Sequence, residues 1–118
     1  MNPIKTFLEY LLLEKKYSKH TITAYRNDLI SFSDFCKVVY GHTDISSSNY
    51  SQIRSWIISM VDDKVSNRSI NRKISSLKSF YKYSQKIKAI EVNPLATHKA
   101  LKTPKKVQVP FSVKEVNL

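Results

Sequence analysis

"SINRKISSLKSFYKYSQK", residues 69–86, has the clearest helical period in the chain. The residues that recur at helical spacing on one side of it are Ile70, Ile74, Leu77, Tyr81 and Ser84. The residues projected across the axis are Arg68, Arg72, Ser75, Ser76, Ser79, Lys82 and Lys86. With Ser66 as its N-cap, the pattern predicts a helix over residues 67–87 with one packed face. The other face is expected to be basic and free of intramolecular partners, because the stretch contains no acid.

Three further helices are predicted before it, over residues 3–15, 18–40 and 50–64. Ser18 is expected to cap the second helix and Gly41 to end it in the left-handed conformation. The residues expected to face the core are Ile4, Phe7, Leu8, Leu11 and Leu12 in the first helix, Ile22, Tyr25, Leu29, Phe32, Cys36 and Val39 in the second, and Ile53, Trp56, Ile57, Met60 and Val61 in the third. Tyr10 and Leu13 fall outside the first stripe, and a neighbouring helix, the C-terminal tail or another protein chain could cover them.

Composition limits the class of protein. A chain of 118 residues suits a single core. One glycine and four prolines leave few turn residues for hairpins, which favours an all-α fold. The formal charge of +11, from 20 basic and 9 acidic residues, predicts a polyanionic partner, either nucleic acid or an anionic membrane surface. The absence of a signal sequence or a long apolar run predicts a cytoplasmic protein.

No residue pattern predicts catalysis or a bound cofactor. His20, His42 and His98 are far apart in the sequence and lack cysteine partners at zinc spacing, so no metal site is expected. Cys36 lies on an apolar stripe and is interpreted as a core residue. We expect no enzymatic activity from this chain.

The C-terminal part of the sequence lacks the helical period of the first four segments. Asn93 and Pro94 predict a turn, and residues 97–110 predict an extended, lysine-rich linker. Ser112 and Glu115 have the spacing of a capping box at the start of a further helix, so residues 111–118 are interpreted as the truncated start of an absent domain.

Several motifs together carry a family resemblance. The pattern SxxTxxxYxxDLxxFxxF over residues 18–35 is followed by SINRKISSLKSFYKY, then by VNPL and a linker that ends at Pro110. In this order and spacing the motifs resemble the N-terminal core-binding domain of tyrosine recombinases, the phage integrase and Xer-like family. The similarity covers about residues 2–110.

The resemblance implies a SAM-like, four-helix orthogonal bundle in residues 1–96 that forms half of a clamp on double-stranded DNA, as a piece of a parent enzyme that is a tetramer on DNA. The isolated domain is expected to be a monomer without a membrane role. In this family a separate C-terminal domain cuts and rejoins DNA through a tyrosine. No histidine here is followed at the third position by arginine, so the His-x-x-Arg signature of that domain has no match.

The resemblance places DNA contacts on the second and fourth helices. The implied contacts are Ser18, Lys19, His20, Thr21, Thr23, Arg26, Asn27, Arg68, Ser69, Arg72, Lys73, Ser76, Ser79 and Lys82. Arg72 is the strongest candidate because it projects centrally opposite the core stripe. Ser18 could serve only as a cap, Thr21 only as packing, and Lys73 could extend outward from the packed side. The linker lysines expected to follow the DNA backbone, or simply to be solvated, are Lys99, Lys102, Lys105 and Lys106.

Three other classes stay open from the residues alone. A stand-alone helical DNA-binding regulator would share the basic faces without needing a second domain. A membrane-surface module would need exposed large apolar residues opposite the lysines, which the core already uses. A protein-interaction domain could use Tyr10 and Leu13, as an addition to DNA binding rather than in place of it.

Overall fold

A computed structural model describes residues 3–96 and residue 98. Helix α1 spans Pro3–Leu13, α2 spans Lys19–Tyr40, α3 spans Tyr50–Asp62 and α4 spans Asn67–Lys86. A short 3-10 helix, Ile45–Ser47, lies between α2 and α3 in a segment expected to be plain loop. Within the described residues there is no strand. The all-α prediction is therefore confirmed, and each predicted α-helix exists with one end as predicted and the other shifted by one or two residues.

The four helices enclose one apolar core. Helix α2 packs against α1, α3 and α4, and α4 also contacts α1 and α3. The core residues are Phe7, Leu11, Leu29, Phe32, Cys36, Ile45, Ile53, Trp56, Ile57, Met60, Ile70, Ile74, Leu77, Phe80, Tyr81 and Leu95. The buried face predicted for α4 is confirmed in full, because all five of its predicted residues are buried. Because α2 and α4 are both central and pack against each other, their predicted DNA-contact faces lie side by side.

Three residues expected in the core are exposed instead. Leu12, Val39 and Val61 are each about half accessible to solvent. Each lies in the last turn of its helix. The helical period gives a direction around the helix axis but does not show whether another element covers that direction in the last turn, so these three placements were wrong.

Lysines rather than glycines end most of the helices. Lys16, Lys64 and Lys88 adopt positive φ angles of 56°, 64° and 62°, and each follows the end of α1, α3 or α4. Gly41 takes the same role after α2 with φ 78°, as predicted. A cation at the carboxyl end of a helix interacts favourably with the helix dipole, which offsets part of the cost of left-handed backbone.

The chain beyond α4 folds back onto the bundle. The Asn93 side chain accepts a hydrogen bond from the Leu95 backbone N–H at 2.8 Å, which forms the predicted turn, and Leu95 enters the core. His98 contacts α3, where the Tyr50 hydroxyl lies 3.1 Å from its Nδ1 atom. The predicted linker lysines and the predicted helix start at Ser112 lie outside the described residues. No helix in the described part of the chain is long and apolar enough to span a membrane.

Candidate nucleic-acid interface

The two helices expected to contact DNA begin with the same local structure. Ser18 caps α2 by accepting a hydrogen bond from the Thr21 backbone N–H at 3.2 Å. Ser66 caps α4 by accepting one from the Ser69 N–H at the same distance. In both cases the extended backbone of the serine lets its hydroxyl satisfy an otherwise unpaired N–H of the first turn. Ser18 therefore has a structural role, whatever else it contacts.

A groove lies between the first half of α2 and the middle of α4. It has a volume of about 380 Å³ and is lined by His20, Thr21, Ala24, Tyr25, Asp28, Arg72, Ser75 and Ser76. Four of these were predicted as contacts from two separate parts of the sequence. Ala24 is the small residue of the α2 wall, which leaves room between the helices. The fold thus joins predicted contacts on the first half of α2 to predicted contacts on α4.

A buried carboxylate lies at the base of this groove. Asp28 Oδ2 is 3.2 Å from Nη1 of Arg72 and accepts a hydrogen bond of 2.7 Å from the Ser76 hydroxyl. Asp28 Oδ1 is 3.5 Å from Nζ of Lys73. The Asp28 side chain is only 2% exposed, whereas that of Arg72 is 54% exposed and that of Lys73 is 22% exposed. The acid is inside the protein, and its cations extend from it towards solvent.

This arrangement corrects two expectations. The basic face of α4 was expected to have no intramolecular partner, which is wrong for Arg72 and Lys73 because both pair with Asp28. Ser76 was expected across the axis from the packed face, but it is buried at 6% exposure and donates to the same carboxylate. Helix α2 approaches α4 closely at this level, so a residue on the edge of the α4 basic face becomes interior.

A second groove continues along α4 beyond Tyr25. Its volume is about 320 Å³, and it includes Lys15, Tyr17, Tyr25, Ser79 and Lys82 among its lining residues. Tyr17 stacks on Tyr25 with ring centroids 6.0 Å apart. Because Tyr25 lines both grooves, Ser79 and Lys82 are connected to Arg72 along one surface. Lys15 and Tyr17 were not predicted as part of this surface. The available signal in the sequence was their position just before the Ser18 cap.

The remaining predicted contacts are divided between surfaces. Lys19, Thr23, Asn27 and Arg68 are exposed, and Ser69 is partly buried. Arg26 instead lines a separate groove of about 840 Å³, which α1 and the segment after α2 help to form. The structure therefore does not bring Arg26 together with Arg72.

Cys36 and Tyr81 are buried away from these grooves. Burial raises the pKa of the Cys36 thiol, and the nearby Ser48 hydroxyl only partly opposes this effect. Burial likewise raises the pKa of Tyr81, whose hydroxyl donates a 2.7 Å hydrogen bond to the Ile45 carbonyl. Among residues 3–96 and 98 no cluster of histidine, cysteine and acidic side chains could hold a metal ion. What the grooves offer is charge and hydrogen-bond donors.

Asp28 is the residue whose role the sequence reasoning missed. It was included in the family pattern but given no function. The available signal was its position: it lies three residues after Tyr25 and four before Phe32, both predicted to face the core. A carboxylate on a core-facing stripe needs a cationic partner, and the acid-free α4 was the segment able to supply one.

Comparisons with known proteins agree with the motifs. The family model described as "Phage integrase, N-terminal SAM-like domain" matches residues 4–87. Tyrosine recombinase XerC of Oceanobacillus iheyensis is 39% identical over 104 residues, which cover 88% of this chain and 34% of the relative. Tyrosine recombinase XerC of Bacillus subtilis is 38% identical over 93 residues, which cover 79% of this chain and 30% of the relative.

A second type of relative has similar coverage. Tyrosine recombinase XerD of Rickettsia bellii is 36% identical over 96 residues, which cover 80% of this chain and 30% of the relative. The chain thus spans about a third of the length of these curated relatives. No solved structure matches the chain significantly.

Proposed function

Because the chain belongs to the phage integrase family of N-terminal SAM-like domains, we propose that it is the duplex-DNA-binding domain of a site-specific tyrosine recombinase. It binds through α2 and α4. Breaking and rejoining of DNA strands is the work of the complete recombinase, which acts in the cytoplasm and assembles as a tetramer on DNA. This chain contributes affinity and orientation.

The observation that carries the proposal is the groove between α2 and α4. Two separate stretches of sequence, around His20 and around Arg72, line one concave surface. Hydroxyl, imidazole and guanidinium groups are donors for phosphate oxygens, and phosphate contacts fix the register of a protein on duplex DNA. The charge of +11 supplies the long-range attraction that such binding needs.

The proposed contacts are the accessible members of the predicted set. On α2 and its cap they are Ser18, Lys19, His20, Thr21, Thr23 and Asn27, and on α4 they are Arg68, Ser69, Arg72, Ser79 and Lys82. Lys73 and the buried Ser76 are assigned to holding Asp28 in place. Arg26, in its separate groove, is a peripheral contact in this proposal.

Electrostatics dominates the expected affinity. If the domain neutralises about six phosphates, log Kobs should fall with log salt with a slope of about −5. The isolated domain should then bind at roughly micromolar concentrations at physiological salt. Fine sequence discrimination is left to the complete recombinase.

The test uses the whole 118-residue chain with a mixed-sequence duplex oligonucleotide. The variant Arg68→Ala/Lys82→Ala removes two exposed α4 charges without disturbing Asp28. Loss of two phosphate contacts should weaken binding to any sequence and make the salt slope shallower by about 2. Fluorescence anisotropy between about 50 and 200 mM salt measures both quantities.

The matched control is Lys37→Ala/Arg54→Ala. It removes the same charge from exposed positions on α3 and near the end of α2, and Lys37 lies about 27 Å along α2 from Lys19. The control should leave the slope nearly unchanged. Equal effects of the two double variants would remove α4 from the interface.

Two rival classes have distinct outcomes. A stand-alone regulator would bind duplex through the same groove, but adding this chain to a recombinase that lacks its own N-terminal domain would not restore recombination. A membrane-surface module would bind anionic vesicles, with no duplex binding at low salt. Either result would replace the proposal.

A further inference from the structure

The groove contains an interior acid whose most exposed partner, Arg72, is the strongest DNA-contact candidate. The Asp28 side chain is only 2% exposed, so its cationic partners present far more surface to a ligand in the groove than its own oxygens do. It accepts from Arg72, Ser76 and, at 3.5 Å, Lys73. A carboxylate with three donors around it has a fixed orientation, because rotation would lose hydrogen bonds that the interior cannot replace.

Arg72 can be held by Asp28 on one side and still offer hydrogen-bond donors to a ligand on the other. Asp28 engages Nη1 of the guanidinium, which has five N–H donors in a rigid planar fork. The side chain is 54% exposed and lines the groove beside His20 and Thr21. A planar group that is attached to its side chain at Nε and held at Nη1 has few orientations left for its remaining N–H donors. Arg72 therefore loses less conformational entropy than a free surface arginine when a ligand binds.

We infer that Asp28 is a positioning residue that orients the Arg72 guanidinium in the α2/α4 groove for a phosphate or base edge of duplex DNA. The inference rests on the proposed function and adds to it a residue that never touches DNA. It also makes an unusual prediction of sign. Removing a negative charge from a DNA-binding surface ordinarily tightens binding, whereas removing this one should weaken it.

The test is a double-mutant cycle in the 118-residue chain. It combines Asp28→Asn, which keeps the shape of the side chain, with Arg72→Met. Duplex affinity is measured by anisotropy, and folding is checked by circular dichroism. Asp28→Asn should weaken binding about tenfold when Arg72 is present, the effect of losing a charge-assisted hydrogen bond. In the Arg72→Met background it should have no effect or tighten binding slightly.

Asp34→Asn is the matched control. Asp34 is exposed on the same helix and makes no ion pair within the described residues, so its substitution makes the same charge change without releasing a cation. It should tighten binding a little. Opposite signs for the two acid substitutions would exclude a simple charge effect, and the Arg72→Met background then separates positioning from a structural role.

Two outcomes would overturn the inference. If Asp28→Asn tightens binding in both backgrounds, the carboxylate only screens charge. If it weakens binding equally in both backgrounds, its role is structural. In either case, weaker DNA binding by the Arg68→Ala/Lys82→Ala variant would still support the proposed function. Failure of the Asp28 inference can therefore be told apart from failure of the proposed function.

A second variant covers the case in which Asp28→Asn does not fold. Ser76→Ala removes one donor to Asp28 and places a strong helix former in α4. It should weaken binding by about threefold, and only when Arg72 is present. NMR of the Arg72 Nε–Hε group in the unmodified protein should show a restricted signal that shifts on duplex addition. A freely rotating or unshifted signal would refute the inference.

Discussion

The two halves of α4 hold their cations in different ways. In the first half, Arg72 and Lys73 converge on the buried carboxylate of Asp28. In the second half, the Lys86 ammonium lies 5.6 Å from the ring centroid of Tyr10. That ring belongs to an aromatic cluster in which Tyr10 and Tyr83 have centroids 4.6 Å apart and Phe7 contacts both. One half uses an ion pair, and the other uses ring faces.

The two kinds of partner differ in how strictly they fix the direction of the cation. A buried carboxylate has defined lone pairs, so it fixes where a guanidinium points. An aromatic face attracts a cation over a broad area and leaves its charge in water. The first half of α4 is therefore suited to a defined contact, and the second half to general attraction of a polyanion. The aromatic cluster also accounts for Tyr10, which a neighbouring helix partly covers, while Leu13 stays exposed.

The largest effect on stability is expected from a substitution where the second half of α4 packs against α1. Phe7 is 1% exposed and contacts Phe80 and Tyr83 with centroid distances of 5.6 and 5.4 Å. Phe7→Ala should lower the free energy of unfolding by about 4 kcal/mol, because it leaves a cavity between α1 and α4. Urea denaturation followed by circular dichroism measures this change.

Leu13→Ala is the control for that experiment. Leu13 is on the same helix but 70% exposed, and its substitution should cost less than about 0.5 kcal/mol. If Phe7→Ala cost no more than Leu13→Ala, the aromatic cluster would not hold this half of α4, and the comparison would fail.

A smaller effect is expected in the first half. Asp28→Ala should lower the free energy of unfolding by about 2 kcal/mol, because the buried Ser76 hydroxyl loses its shorter hydrogen bond, at 2.7 Å, and keeps only that to the Arg72 carbonyl at 3.4 Å, while Arg72 and Lys73 can still reach water. Asp34→Ala, at an exposed site on α2, should change stability by less than about 0.5 kcal/mol. Equal values for the two variants would mean that the ion-pair cluster adds nothing to the fold.

The smallest effect on stability is expected from removing the Lys86 charge that lies over the Tyr10 ring. Lys86→Met keeps most of the packing of the side chain and removes only its charge, so the loss should be about 0.5 kcal/mol. Lys86→Arg, which retains a cation above Tyr10, should restore stability to the original value. A loss from Lys86→Met as large as that from Asp28→Ala would show that the two halves are held with similar strength.

Local chemistry determined most of the fold. The caps at Ser18 and Ser66 and the glycine after α2 are short-range features, and each acts as expected. The helical period also assigned the buried face of α4. These predictions succeed because a hydrogen bond or a helical repeat depends on residues within one or two turns of each other. The lysines with positive φ were missed, since lysine has no intrinsic preference for that conformation.

By itself, then, the sequence determined where the helices lie, which stripes are apolar and that the second half of the chain is basic. Which basic residues have partners depends on how the helices pack against one another. Asp28 and Arg72 are separated by 44 positions, and a helical projection gives an angle around one axis without the height at which another helix crosses it. That crossing makes Ser76 interior and brings a buried acid to the base of a basic groove, while Leu12, Val39 and Val61 at the ends of α1, α2 and α3 stay exposed.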